Sequence, residues 1–397
     1  MDPLSPIPAV LLTLIAVATA QVLSKRFGVL QEPGRFASID GLRGYLAFFV
    51  FLHHASIWYA YLRTGLWQSP PSHLYRQLGE ASVSAFFMIT GFLFFSKLLN
   101  SRQRGVDWLQ LYVSRVLRLT PLYLFAVLGL ILVVLAMTTE PISAHEWWKP
   151  LIKWITFTIL GSPDLGGVAN TPVIVAGVTW SLRYEWLFYC SLPLMALFIG
   201  IKPQPLSIAV GAFSLAWFAS WQPQAVLLLP FAGGMAAALL IRSEAFCSVS
   251  KRPLASVLIL LCVGLTIKAF ASAYSVAPLV LLTVAFALIA GGNSLFGLLT
   301  WTASRFLGEM AYSIYLLHGL ILFVSFKLIL GAGPAAAFSA VQHWLLAAAI
   351  TPVLICVCFA SFTLIEQPAM RRVAPVTAGL VRLLSRVQGL FRRESRG

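Results

Sequence analysis

Apolar runs separated by short polar loops recur along the whole chain. A helix needs about 20 apolar residues to cross a hydrocarbon core about 30 Å thick, and most of these runs approach that length. The pattern therefore predicts an all-α, polytopic membrane protein with about eleven transmembrane helices. The predicted spans are 7–24, 43–62, 83–99, 119–137, 180–200, 204–220, 224–241, 253–270, 275–291, 309–329 and 343–365.

The stretch 151–178 does not fit this pattern. Leu151–Leu160 is apolar but too short to cross a bilayer. A Gly-Ser-Pro-Asp sequence and a Gly-Gly pair interrupt the residues that follow. We therefore expect an interfacial or re-entrant helix, followed by a loop.

Composition agrees with a membrane protein. Hydrophobic residues make up 59% of the 397 residues, charged residues make up 10%, and the mean hydropathy is +0.86. A soluble globule of this size cannot bury so much apolar surface. The five cysteines are scattered and show no metal-ligand spacing with histidines, so we expect no disulfide and no metal site. The sequence has no glycine motif of the ATP- or dinucleotide-binding type, which disfavours an ATP-driven pump.

Positive charge is distributed unevenly between the loops. Lys and Arg residues accumulate on the cytoplasmic side of membrane proteins. An external N-terminus followed by eleven spans would place 21 of the 28 Lys and Arg residues inside. This predicts a cytoplasmic C-terminus, and it explains the net charge of +15 without a nucleic-acid partner.

The two ends of the chain differ from its centre. Residues 1–30 predict an uncleaved membrane anchor, because no cation precedes the first apolar run and Lys25 and Arg26 follow it. Residues 35–370 are expected to form the main transmembrane domain. Residues 373–397 interleave apolar side chains with arginines, which favours an amphipathic helix on anionic lipid. A solvated, partly disordered tail is the alternative.

The second span carries ionisable residues within an otherwise apolar sequence. A helix turns about 100° per residue, so Arg43 and His54 face the same side within about 20° and lie roughly 16 Å apart along the axis. His54 is then near the midplane of the bilayer, where an ionisable side chain is costly and marks a candidate functional site. Asp40 is one turn before Arg43 and could orient it. His53 faces another direction, and we expect a structural or supporting role for it.

Six short motifs follow one another along the chain. The first is Ser38–Gly44, in which Arg43 is followed by ten residues and then His54. The other five are Phe86–Leu93, Arg115–Tyr123, Trp180–Tyr189, Gly308–His318 and Ile365–Pro368. In this order, and over nearly the whole chain, they resemble the motifs of the membrane-bound acyltransferase family 3. Thr90 stands where that family commonly has serine, and Trp186 where it commonly has a second acid.

The resemblance implies a ten-helix acyltransferase core, preceded in this chain by an additional N-terminal helix. It implies an integral protein of a bacterial inner membrane that acts as an O-acyltransferase, most often an acetyltransferase. The implied donor is cytoplasmic acyl-CoA, and the implied acceptor is a hydroxyl group of a cell-surface or envelope glycan or glycolipid.

Acyl transfer requires a bound thioester donor, a base for the acceptor hydroxyl and stabilisation of an oxyanion. An imidazole titrates near pH ~6.5, so His54 suits a general base or an acyl carrier, and Arg43 and Asp40 complete the predicted catalytic group. Arg115 and Arg118, one turn apart at the start of a helix, suit the phosphates of acyl-CoA. Residues expected on the acceptor side or in the same cavity are Glu185, Trp180, Tyr315 and His318.

Each of these roles has an alternative. The arginines also fit the positive-inside rule, and the two histidines could be hydrogen-bonding residues between helices. Glu185 could pair with Arg183, and the outer aromatic residues could form an interfacial belt instead of binding sugar rings. Taken together, the same ionisable residues could form the path of a proton-coupled transporter of a glycan or small metabolite. The sequence shows no inverted repeat that would favour a transporter.

Overall fold

The computed structural model describes residues 2–28, 36–138 and 144–394, without the side chains of 144–146 and 387–394. Within these ranges the regular elements are helices and no β-strand occurs. The α-helices are α1 (Pro6–Phe27), α2 (Ala37–Thr64), α3 (His73–Asn100), α4 (Trp108–Met137), α5 (Ala144–Ile155), α6 (Trp180–Phe198), α7 (Pro205–Ser220), α8 (Leu229–Leu240), α9 (Glu244–Ser250), α10 (Pro253–Ala269), α11 (Val276–Ala290), α12 (Thr302–Glu309), α13 (Ala311–Phe323), α14 (Ala332–Ala336), α15 (Ala340–Ser361), α16 (Gln367–Arg371) and α17 (Val373–Glu394). Short 3-10 helices occupy Thr171–Val175, Ala225–Leu228 and Leu298–Thr300, and π-helical segments occupy Val324–Ile329 and Phe362–Glu366.

The predicted all-α, polytopic architecture is confirmed. Each predicted span coincides with a helix or a pair of consecutive helices. By length and apolar composition, six helical segments of the described chain can cross a membrane. A seventh does so if Ala225–Leu240 and α9, which meet at a bend of 109°, form one broken span. The apolar helices α7, α10 and α11 are shorter, so the count of eleven crossings stays a prediction.

Three helices begin well before the apolar runs that predict them, namely α2, α3 and α4. The side chains of Ser72 and Asp107 cap α3 and α4 by accepting hydrogen bonds from the backbone N–H groups of Tyr75 and Gln110. Hydropathy detects the part of a helix that lies in hydrocarbon, so it misses such polar first turns. The arginines that the sequence singles out lie in these early turns.

Close backbone contacts fix α2 and α3 at the centre of the bundle. A Cβ atom added to Gly308 of α12 would lie 1.7 Å from the carbonyl oxygen of Asp40. One added to Gly91 of α3 would lie 2.3 Å from the carbonyl oxygen of Phe231 in α8. Glycine alone permits such an approach, and small residues at helix contacts are typical of membrane packing. The first turn of α2 is therefore held against α12.

The segment between α4 and α6 enters the bundle without crossing it. The hydroxyl of Tyr123 donates a hydrogen bond to the carbonyl of Trp154. Tyr123 lies about 20 Å from the C-terminal end of α4, since a helix rises 1.5 Å per residue. The 3-10 turn Thr171–Val175 then reaches α13, where a Cβ atom added to Gly319 would lie 2.6 Å from the backbone nitrogen of Ala176. The structure thus contains the predicted short helix, α5, and a re-entrant path through the membrane stays a prediction.

The terminal helices are α1 and α17. α1 is one of the six candidate spans and packs against α12 and α15. α17 contacts α4, so the tail is helical as far as residue 394. The division into anchor, core and tail stays a prediction, as does the contact of the tail with lipid. Residues 1, 29–35, 139–143 and 395–397 of these predicted units lie outside the described ranges.

Candidate active site

An internal cavity of about 230 Å³ lies between α2, α3, α4, α6 and α13. Its wall combines cations, hydroxyl groups, one acid and aromatic rings. The charged and polar residues of the wall are Arg43, Thr90, Arg115, Arg118, Ser181, Glu185, Tyr189, Tyr312 and Tyr315. One cavity therefore brings together the arginines of two helices with two of the residues predicted for the acceptor side. We call it the arginine cavity.

The three arginines converge from α2 and α4. Arg115 and Arg118 are one turn apart in α4, and Arg43 is one turn after Asp40 in α2. The Asp40 carboxylate is not part of the cavity wall, but it interacts electrostatically with Arg43 and Arg118. The Nε atom of Arg115 is buried without a hydrogen-bond partner among the described residues. This guanidinium group therefore keeps a donor available for a ligand.

A second cavity of about 190 Å³ adjoins the arginine cavity at Arg115. The two share Leu93, Phe94 and Arg115, and Lys97 and Ser114 also line the second one. Lys97 is a functional candidate that the sequence reasoning missed. It lies in the last turn of α3, where a cation looks like an ordinary positive-inside residue. Only the three-dimensional structure shows that it adjoins the arginine cavity.

Glu185 lines the arginine cavity together with the three arginines. It accepts a hydrogen bond from the hydroxyl of Tyr189, one turn further along α6. The carbonyl of Tyr189 in turn accepts one from Tyr112 near the start of α4, at 3.2 Å. Arg183, the suggested partner of Glu185, lines a different cavity.

Tyr315 forms one end of the arginine cavity. Its hydroxyl oxygen is 2.7 Å from Ser181 Oγ, and it donates to the carbonyl of Val178 at 3.1 Å. On the other side, its ring lies edge-on to His318, with the ring centroids 6.3 Å apart. Neither His54 nor His318 lines the cavity wall. Tyr315 is therefore the residue through which the cavity contacts these histidines.

His54 and His318 form a buried, hydrogen-bonded pair. Nδ1 of His54 lies 3.0 Å from the carbonyl oxygen of Val50 and 3.0 Å from Nε2 of His318. Nδ1 of His318 lies 2.9 Å from the carbonyl oxygen of Ile314. A carbonyl oxygen can only accept, so we assign the proton of each neutral ring to Nδ1. Nε2 of His54 is then unprotonated, which is the form that a general base requires.

The neighbours of His54 include a second histidine and a tryptophan. Trp67, from the loop after α2, stacks on the His54 ring with centroids 6.0 Å apart and planes at 12°. Nδ1 of His53 is 2.8 Å from the carbonyl oxygen of Tyr75, and its ring lies close to Gly79. His53 thus connects α2 to α3. Trp67 packs against His54 and does not line the arginine cavity.

Trp180 and Glu366 lie beside the cavity but not in its wall. Trp180 packs edge-on against Tyr184, with the ring centroids 5.8 Å apart. Glu366 is buried in a π-helical segment, where it accepts a hydrogen bond from Ser313 and interacts electrostatically with Arg118. Glu366 therefore offsets positive charge next to the arginines.

In the described part of the chain no group of three or more His, Cys, Asp or Glu side chains is placed to hold a metal ion. The five cysteines are free thiols, distributed over α6, α9, α10 and α15.

Comparison with protein families gives one match over most of the chain. An acyltransferase domain covers residues 36–363, from the start of α2 into the last π-helical segment. The chain belongs to the membrane-bound acyltransferase family 3. Searches against curated proteins and solved structures return no match. The protein is therefore a membrane acyltransferase, and its chemistry involves an acyl donor and an acceptor.

For this acyltransferase, the site offers two chemically different places that meet at Tyr315. The arginine cavity can hold an anionic, partly apolar ligand, because its cations stand among phenylalanine and leucine side chains. The His54–His318 pair can accept a proton and spread the resulting charge over two rings.

Proposed function

We propose that this acyltransferase moves an acyl group, most simply acetyl, from cytoplasmic acyl-CoA to a hydroxyl of a cell-surface or envelope glycan. We place it in a bacterial inner membrane with the C-terminus in the cytoplasm. The observation that supports this most strongly is the arginine cavity, which ends at Tyr315 with the His54–His318 pair directly behind it.

The charge of the cavity supports acyl-CoA as the donor. Three arginines face one carboxylate, and Lys97 continues the positive surface into the adjoining cavity. Guanidinium groups bind phosphates through paired hydrogen bonds, and acyl-CoA carries several phosphates. We assign phosphate binding to Arg115, Arg118 and Lys97, with the thioester directed towards Tyr315.

The position of Arg43 changes the role first expected for it. Arg43 and His54 are roughly 16 Å apart along α2, so one small reacting group cannot touch both. Arg43 lines the arginine cavity, whereas His54 does not. We therefore assign Arg43 to donor binding, with Asp40 as its electrostatic partner. His54 remains the proposed catalytic base.

The proposed reaction uses His54 as a general base. Nε2 of His54 takes the proton of the acceptor hydroxyl while the oxygen attacks the thioester carbonyl carbon. The tetrahedral oxyanion then collapses, the carbon–sulfur bond breaks, and the CoA thiolate leaves and takes up the proton. His318 accepts a hydrogen bond from Nδ1 of His54, which holds the ring and stabilises the imidazolium.

The aromatic residues beside His54 support a sugar acceptor. Trp67 stacks on His54, and Trp58 and Tyr61 lie edge-on to Trp67 at 5.6 and 5.2 Å. Aromatic faces present an apolar surface to the C–H groups of sugars, and Tyr and Trp also offer hydrogen-bond donors. We place the acceptor on this side of His54, opposite the donor that enters through the arginine cavity.

The test is transfer of label by the purified full chain in nanodiscs. Acetyl-CoA labelled in the acetyl group is supplied with envelope glycan, and both free CoA and labelled glycan are measured. We expect the native chain to produce both, and His54→Ala to lose transfer by about 10²–10⁴-fold, the usual contribution of a positioned acid or base.

His53→Gln is the matched control, because it changes the neighbouring histidine of the same helix. His53→Gln should keep most of the transfer activity. Thermal unfolding of each variant checks that it is folded. If the native chain transfers no label with any acyl-CoA or glycan extract, the proposed function is wrong. Equal transfer by His54→Ala and the native chain would overturn the role of His54.

A further inference from the structure

The two faces of α6 line different cavities. Ser181, Glu185 and Tyr189 line the arginine cavity, whereas Arg183 and Trp186 line a separate cavity of about 170 Å³ between α6 and α7. We call this space between α6 and α7 the α6–α7 groove. Its wall is otherwise mainly apolar and aromatic, and it includes Phe213, Trp217, Phe218 and Trp221. Nothing in the proposed acyl transfer uses it.

Two hydrogen-bond donors of the groove have no partner. Arg183 makes no ion pair or hydrogen bond within the described residues, and its guanidinium carbon lies 5.7 Å from the centre of the Trp221 ring. Both Nε of Arg183 and Nε1 of Trp186 are buried and unpaired. Burying an unpaired donor is costly, and a cation in an apolar wall more so. These two residues are therefore placed to bind an anionic acceptor.

Arg183 and Trp221 lie at one end of the α6–α7 groove. Cys190, which lines the groove further along α6, follows Arg183 by seven residues, or about 10 Å. The surface that leads away from Arg183 along α7 is apolar, with Phe213 67% and Trp217 38% exposed. The groove thus has a cation at one end and a mainly apolar, aromatic wall along the rest of its length.

We propose that the α6–α7 groove is a binding site for an anionic phospholipid. The lipid phosphate accepts hydrogen bonds from Arg183 and Trp186, and an acyl chain lies along Phe213 and Trp217. An amphiphile fits this groove better than a soluble anion, because the charge is confined to one end and the remaining wall is aromatic. This site is independent of acyl transfer and would be occupied whatever the acceptor is.

The test is native mass spectrometry of the full chain in detergent titrated with phosphatidylglycerol. The native chain should retain one lipid tightly, and Arg183→Gln should weaken that retention about tenfold or more, as expected for loss of a charge-assisted hydrogen bond. Arg104→Gln is the matched control, because it removes one positive charge from an exposed turn between α3 and α4 and should bind like the native chain.

Two further variants keep the test decisive if Arg183→Gln does not fold. Arg183→Lys should restore much of the binding, and Trp186→Phe should weaken it several-fold while keeping an aromatic ring in place. The proposal is overturned if these variants and Arg104→Gln retain the lipid equally. It is also overturned if inorganic phosphate or a polyprenyl phosphate displaces phosphatidylglycerol at equal or lower concentration.

Discussion

The arginine cavity and the His54–His318 pair both place ionisable side chains inside an apolar bundle, but they satisfy them differently. The histidines are buried, and both Nδ1 atoms face carbonyl oxygens of their own helices. The arginines line an open space, and a buried donor of Arg115 has no partner among the residues described. Groups held by backbone carbonyls are fixed in position and tautomer, whereas groups with spare donors are available to a ligand.

This difference assigns two kinetic roles. Changes in the arginine cavity should act mainly on donor binding, and changes at the histidine pair should act mainly on the chemical step. The KM for acyl-CoA reports the first when chemistry is slow, and kcat at saturating donor reports the second. Four variants test this separation, in order of decreasing expected effect.

Replacing His318 should cause the largest of these effects. His318→Ala removes one of the two acceptors for Nδ1 of His54, leaving the carbonyl of Val50, and it removes the group that stabilises the charge of His54. We expect kcat to fall about 10²-fold with little change in KM, within the range known for acid–base groups. The check is steady-state kinetics with varied acyl-CoA. If donor affinity falls and kcat does not change, His318 contributes to donor binding and not to the chemical step.

Arg115→Ala should raise the KM for acyl-CoA by about tenfold, since a hydrogen bond to a charged group contributes roughly 1.5–3 kcal/mol. The change in kcat should be small. Arg115→Lys is the matched variant, which keeps the charge but loses the planar donor pair and should fall in between. Calorimetric titration with CoA checks the binding directly. If both variants bind CoA as tightly as the native chain, the assignment of Arg115 to donor binding is wrong.

Tyr315→Phe should have an intermediate effect. It removes the hydroxyl that contacts Ser181 and Val178 but keeps the ring that packs against His318. A neutral hydrogen bond contributes about 0.5–1.5 kcal/mol, so we expect a loss of a few-fold in kcat/KM. Because Tyr315 adjoins both regions, kcat and KM should both change. A loss as large as that of His54→Ala would show that the hydroxyl itself takes part in the reaction.

The smallest effect is expected for Lys97→Ala. Lys97 lines the adjoining cavity, and a single charge at a partly exposed site contributes about 0.2–1 kcal/mol. The KM for acyl-CoA should rise two- to fivefold, and the rise should shrink at high salt. The same variant should leave the KM for dephospho-CoA thioesters less affected if Lys97 contacts the terminal phosphate. Salt-independent kinetics would exclude a phosphate contact.

Hydropathy was sufficient to predict the long apolar helices, because a long apolar run needs an apolar environment. It could not define the helix starts, since polar first turns such as the one capped by Asp107 carry no apolar signal. The motifs were sufficient to select Arg43, His54 and Tyr315 as candidates. They could not show that Arg43 lines the arginine cavity and His54 does not, because this depends on contacts between distant segments.

The positions of Glu185 beside the arginines and of Lys97 near Arg115 also could not be predicted from the sequence. Glu185 reaches the arginines because α6 packs against α3 and because the carbonyl of Tyr189 in α6 accepts a hydrogen bond from Tyr112 of α4. Lys97 reaches its site because α3 and α4 pack so that the end of one helix lies beside the start of the other. Neither arrangement follows from the periodicity of a single helix.

The most direct test is an experimental structure of the full chain with a thioether analogue of acyl-CoA, which cannot transfer its acyl group. We predict the acyl end beside Tyr315 in the arginine cavity, and the phosphates within hydrogen-bond distance of Arg115, Arg118 or Lys97. Density for the analogue elsewhere, with the arginine cavity empty at saturating ligand, would contradict the assignment of this cavity as the donor site.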